Sequence, residues 1–114
     1  MTLRTVTLEE RFGTQTAPVL LNGNQALARA LILQHALDRR AGLATAGYVT
    51  GYRGSPLGGL DQVLWSARAA LEAASVAFEP AVNEELAATA AWGTQQLATM
   101  GDATVDGVYA LWYG

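Results

Sequence analysis

An uncharged stretch, Ala44-Thr45-Ala46-Gly47-Tyr48-Val49-Thr50-Gly51-Tyr52, limits the folds open to this chain more than any other. It is small, β-branched and aromatic, as a strand covered on both faces should be. Segments of helical period flank it. Upstream, Leu27, Ala30, Leu31, Leu33 and Leu37 step along one side of a helix, with Arg29 and Gln34 away from most of that side. Downstream, Leu57, Leu60, Leu64, Ala67 and Leu71 form a second stripe, with Asp61, Gln62, Arg68 and Glu72 outside it. A covered strand between two helices predicts crossover connections and a parallel sheet.

The remaining segments extend this alternation. Residues 17–21 are a short strand candidate, with Pro18 suited to its start or to an edge. Asn22-Gly23-Asn24-Gln25 reads as a turn and helix N-cap, Arg39 and Arg40 suit the C-terminal end of that helix, and Gly42 suits the position after it. Pro56 suits the first position of the second helix. Residues 76–82 form a third strand. Residues 84–100 form an Ala-rich, buried third helix with the stripe Leu86, Ala90, Gly93 and Leu97. Residues 105–113 form a fourth strand. The expected fold is α/β, three layers deep, with a mostly parallel sheet and helices on both faces. Residues 1–16 are set apart as a polar arm with one helical turn around residues 7–12, and residues 17–114 as the domain. A strand directly before the last residue predicts an incomplete domain, a piece of a longer polypeptide.

Composition narrows the chemistry. Of the 114 residues, 22 are alanine, so elements pack closely but bury less apolar area than a 51% hydrophobic content suggests. All seven basic residues are Arg, which removes a P-loop or Schiff-base lysine. A net charge of −3 argues against a nucleic-acid partner. Without Cys there is no disulfide, thiolate nucleophile or Cys-ligated iron–sulfur cluster within these residues. A single His makes a zinc site a poor expectation, and no Ser-His-Asp set is assignable. The N-terminus lacks a signal-peptide core, and the apolar run over residues 18–33 is interrupted by Asn22, Asn24, Gln25 and Arg29. A soluble, cytoplasmic protein without membrane contact is the expectation.

Two stretches lie where α/β proteins build sites, after the C-terminal ends of strands. The first is Val82-Asn83-Glu84-Glu85-Leu86. Acids in a first helical turn stabilise it by a few tenths to about 1 kcal/mol, and capping explains the pair without function. The functional reading has one carboxylate projecting into a cleft; both cannot point inward, because successive helical residues diverge by about 100°. The second is Gly51-Tyr52-Arg53-Gly54-Ser55-Pro56-Leu57-Gly58-Gly59. Its glycines do not match the dinucleotide spacing. A flexible strand-to-helix turn accounts for them as well as close backbone approach to a ligand does. Arg53 is either a carboxylate or phosphate receptor or a surface arginine paired with Asp61 or Glu84.

These two stretches, with Gly93-Thr94-Gln95-Gln96 and Gly107-Val108-Tyr109-Ala110-Leu111-Trp112-Tyr113-Gly114, resemble the N-terminal region of large fused indolepyruvate ferredoxin oxidoreductases. Those enzymes are thiamine-diphosphate-dependent 2-oxoacid:ferredoxin oxidoreductases. The resemblance runs from about Ala17 to the end of the chain and implies a pyrimidine-binding (PYR) domain or most of one. It implies that Glu84, nine residues before Gly93, is the catalytic glutamate that bonds the cofactor's aminopyrimidine. Glu85 fits less well and takes a capping role. The resemblance further implies that Tyr52, Gly54 and Pro56 lie by the cofactor, and that Ser55 and Arg53 lie by the substrate. Arg53 departs from the related Tyr-Pro-x-Thr-Pro turn, where a proline stands. The implied reaction is oxidative decarboxylation of an aryl 2-oxoacid, with the acyl group passed to coenzyme A and electrons to ferredoxin. The diphosphate with its Mg2+ and the iron–sulfur clusters would be held outside these residues, the former by a PP domain, in an enzyme expected to be dimeric. The isolated chain is expected to be inactive. A non-catalytic interaction domain or remnant of that family is the alternative, and an anion- or nucleotide-binding domain using the Gly-rich loop is a third.

Overall fold

The computed structural model describes residues 2–114. Three strands, β1 (Thr45–Gly51), β2 (Val76–Phe78) and β3 (Gly107–Tyr113), form one all-parallel sheet in the order β2-β1-β3. The uncharged stretch is the central strand. It pairs with β3 over its whole length, Thr45 with Gly107 through Gly51 with Tyr113, and with β2 from Gly47–Val76 to Val49–Phe78. Residues 17–21 are not a strand. With two of their five residues exposed and no pairing, they run irregularly from the arm to α1, and Pro18 withholds a ladder donor.

Helix α1 (Gly23–Arg40) starts at a capping box: Asn22 Oδ1 accepts from the Gln25 amide at 2.9 Å, and Gln25 Oε1 accepts from the Asn22 amide at 3.1 Å. Its buried side is Ala28, Leu31 and Ile32, with Leu27 partly buried. The expected stripe is therefore rotated: Ala30 and Leu37 are exposed, and Arg29 is buried. The Arg29 guanidinium donates to the carbonyls of Gln15 at 2.8 Å and Glu10 at 3.4 Å, binding the arm, whose 3₁₀ turn spans Leu8–Phe12.

The second helix is two short ones, α2 (Leu60–Ser66) and α3 (Arg68–Ala73), meeting at Ala67. Leu60, Leu64, Ala67 and Leu71 are buried as the stripe requires, whereas Leu57 is exposed and Asp61 buried. Pro56 is not helical. It lies in a bend, and α2 begins four residues beyond, after Gly59 in the left-handed region.

Alternation along the strands sorts the layers. Gly47, Val49 and Gly51 share a face with Val76, Tyr109 and Tyr113 and meet α1–α3 there; Tyr109 donates its hydroxyl to the Leu31 carbonyl at 2.9 Å. Glycine at position 51 is steric: a Cβ would fall 2.4 Å from the Tyr113 carbonyl and 2.5 Å from its ring. Thr50 and Trp112 face the other way, toward α4 (Glu84–Thr94), which lies over β1 and β3. Helices thus cover both faces, unequally. The core is the α1–α3 layer, whereas α4 buries only Ala87 and leaves Leu86 and Trp92 exposed. The expected buried helix is in fact a surface helix. It ends at Thr94 and gives way to a 3₁₀ turn at Leu97–Thr99.

Candidate functional site

Parallel pairing brings the C-terminal ends of the three strands to one edge, and the singled-out stretches leave from β1 and β2 there. A bridge between Tyr52 and Ala81, with the Ala81 amide on the Gly51 carbonyl at 2.9 Å, ties the start of the Gly-rich loop to the segment entering α4.

Asn83 caps α4, its Oδ1 accepting from the Leu86 amide at 2.8 Å. The cap fixes Glu84 as the first helical residue. Glu84 is partly buried and its neighbour Glu85 exposed, the divergence expected of successive helical positions. Trp112 Nε1 donates to the Glu84 carbonyl at 3.1 Å, and a Cβ on Gly114 would come 2.8 Å from Glu84 Cγ. Glu84 therefore stands against the end of β3. Its carboxylate has no hydrogen-bond or ion-pair partner among the described residues.

The loop is ordered from within. The Ser55 amide donates to the Tyr52 carbonyl at 3.0 Å, the Gly58 amide to the Pro56 carbonyl at 2.9 Å, and Asn24 Nδ2 from α1 to the Gly58 carbonyl at 3.1 Å. The Tyr52 ring folds over Gly54, where a Cβ would come within 2.5 Å of it. Of the two partners open to Arg53, the structure selects Asp61, Nε to Oδ2 at 2.6 Å, and no bond joins Arg53 to Glu84. That hydrogen bond, reinforced by the Asp61 charge, holds the guanidinium more firmly protonated than usual. Tyr52, Arg53, Gly54 and Pro56 are exposed, whereas Ser55 is buried.

At this edge sequence reasoning passed over Thr50 and Tyr113, and it named Asp61 only as a surface partner for Arg53. Asp61 was set outside the helix stripe, yet it is buried. Tyr113 was read only as strand; it is 4% exposed, and its phenol pKa is raised, mainly by burial and further by the Asp61 charge, with Arg53 pulling the other way. Thr50 is buried in β1. The hydroxyls of Thr50, Ser55 and Tyr113 all lack a partner among the described residues. The sequence offered Asp61 as one of two partners for Arg53, but helical periodicity hid its burial. No three His, Asp or Glu side chains converge into a metal-ligand set among the described residues. No described helix is long and apolar enough to cross a membrane. Comparison with protein-family models, curated proteins and solved structures returned no match.

Proposed function

We propose that this chain is the PYR-like part of a thiamine-diphosphate-dependent 2-oxoacid:ferredoxin oxidoreductase, with Glu84 as its catalytic carboxylate. The observation carrying this reading is Glu84 itself: partly buried at a parallel-sheet edge, fixed by the Asn83 cap and Trp112, and without a partner for its carboxylate among the described residues. The residues fit the group they would meet. An unpaired carboxylate can accept from a protonated ring nitrogen, and the unpartnered hydroxyls of Thr50 and Ser55 lie at the same end of the sheet. When bound, thiamine diphosphate supplies the carbanion chemistry, and the chain's own part is orientation and proton control at Glu84. On this reading Arg53 and Ser55 face the substrate, and Tyr52, Gly54 and Pro56 shape the wall beside it. Binding of the diphosphate with Mg2+ by a PP domain, electron transfer through iron–sulfur clusters to ferredoxin, and acyl transfer to coenzyme A belong to the remainder of such an enzyme. An aryl 2-oxoacid as substrate and a cytoplasmic location are part of the same proposal.

The test is turnover of an aryl 2-oxoacid by the enzyme carrying these residues. Glu84→Gln lowers it by at least about a hundredfold with the circular dichroism spectrum unchanged, while Glu85→Gln stays within about twofold. Parent-like turnover by Glu84→Gln would overturn the assignment. A second reading, an α/β interaction domain, has the exposed α4 surface at Leu86 and Trp92 in its favour. On that reading neither substitution matters to turnover.

A further inference from the structure

Strand β3 is an edge of the sheet. The direction of its free backbone groups follows from β1. The Gly47 amide donates to the Ser75 carbonyl at 2.9 Å, and the Val49 and Gly51 carbonyls accept from the Glu79 and Ala81 amides at 3.0 and 2.9 Å, so these three residues turn their backbone toward β2. Alternation leaves Ala46, Tyr48 and Thr50 to bond β3, through its residues Gly107, Tyr109, Leu111 and Tyr113. Val108, Ala110 and Trp112 therefore aim their amides and carbonyls away from the sheet. Among the described residues one bond reaches these groups, from Gln95 Nε2 to the Val108 carbonyl at 3.1 Å. Monomeric proteins protect such an edge with charge, proline or a bulge. Here Gly107–Tyr113 carries no charged residue and no proline, and it pairs with β1 over all seven residues without a break. Ala110 and Trp112 are exposed.

Helix α4 continues the same open side. Ala88, Trp92 and the C-cap Gln95 follow one another at helical spacing along one face. The reach of Gln95 to an outward carbonyl of β3 puts that face over the free edge, where Trp92 is 66% exposed. A second copy of this chain fits both features at once. Turned about a two-fold axis through Ala110, the two β3 strands pair antiparallel. Ala110 then opposes itself, Val108 opposes Trp112 on either side, and the outward amides and carbonyls bond one another. Val108 with Trp112 is a favourable β-branched–aromatic pair, and the small Ala110 stands on the axis. The Val108 carbonyl has a second lone pair for the amide of the other copy. Because α4 lies over β1 and β3, and strands are about 4.8 Å apart, its axis runs about one strand spacing from the two-fold, which sets the two copies of α4 about 10 Å apart. Helices pack at about 8–10 Å, and an Ala-rich α4 suits that approach. Covering Trp92 and Trp112 in both copies, with the surface they cover, hides on the order of 1,000 Å², the size at which specific interfaces begin.

We infer that two copies of this chain associate edge to edge through β3 and α4, joining their sheets into one. The contact is independent of any chemistry at Glu84 and of the dimer that the family resemblance implies for a whole enzyme.

The experiment is analytical ultracentrifugation of the 114-residue chain from low to high micromolar concentration. A reversible monomer–dimer equilibrium is expected. Ala110→Lys sets two ammonium groups against each other at the axis and weakens the dimer at least about tenfold, with the circular dichroism spectrum unchanged. The chain has no cysteine, so oxidation reads the register directly. Ala110→Cys forms a disulfide-linked dimer, whereas Val108→Cys does not, because Val108 lies across from Trp112 and far from its own counterpart. A monomer at every concentration overturns the inference, and so do assemblies that grow beyond a dimer. A dimer untouched by Ala110→Lys overturns the surface, and equal cross-linking at Val108 and Ala110 overturns the two-fold register. The cysteine variants, which change the strand little, decide the matter even where Ala110→Lys does not fold.

Discussion

Tyr109 shows how one residue couples the sheet to the helix layer. Its ring lies across Gly47, and its hydroxyl donates to the Leu31 carbonyl in α1. Burial, and next the charge of Asp38, push its pKa up from 10.0 to about 12, a rise partly offset by the backbone of His35. A group whose pKa is higher in the folded state contributes stability below its unfolded pKa and loses it as pH rises through the folded one. Stability should therefore fall between about pH 10 and 12. Urea midpoints across that range test this: Tyr109→Phe flattens the fall, although Tyr113, also raised, preserves part of it. An identical pH profile in the variant would assign the fall to other groups. At this scale the sequence was informative for Glu84, whose place after a strand and at a helix start is local. It was misleading for Asp61 and Arg29. A polar residue on a helix reads as solvent-facing until a partner from elsewhere in the chain, a loop arginine or an arm carbonyl, makes its burial tolerable.

Among the elements, α4 depends most on its cap. It buries one residue, so little packing holds its first turn, and the Asn83 bond to the Leu86 amide carries a larger share than a cap on a core helix would. Asn83→Ala should cost about 1 kcal/mol. The loss should be local: amide exchange of Leu86 and Ala87 accelerates, and the environment of Trp112, tied to the Glu84 carbonyl, changes in near-ultraviolet circular dichroism. Unchanged exchange at Leu86 would count against the cap. The elements whose signals are local, the α1 capping box, the uncharged β1 and the left-handed Gly42, all stand where the sequence puts them. The misreadings share one cause. Apolar periodicity continues through Ala67 and past Thr94, but it does not report where backbone hydrogen bonding breaks, and an alanine is compatible with either a buried or an exposed face.

On the scale of the molecule, the chain is wider than its length requires. Its radius of gyration is 15.3 Å, against about 13 Å for a compact domain of this size. An arm pinned on one side and a thinly packed α4 layer on the other agree with that figure. Arg29 is the arm's main tie to α1, so Arg29→Ala should release it. Removing charge-assisted bonds costs about 1.5–3 kcal/mol, paid here in local opening. Proteolysis within residues 2–16 should accelerate while exchange in β1 stays slow. Equal loss of protection in β1 would show instead that arm and sheet unfold together. By itself the sequence determined the α/β class, the central strand, the caps and the place of Glu84 at a helix start, because backbone propensity, side-chain alternation and turn chemistry act over a few residues. Only the tertiary structure decided the strand order, the loss of the expected strand at residues 17–21, the exposure of α4 and the pairing of Arg53 with Asp61. Each of those is set by contacts between segments far apart in the chain, where burial of one group is compensated by another that local pattern cannot identify.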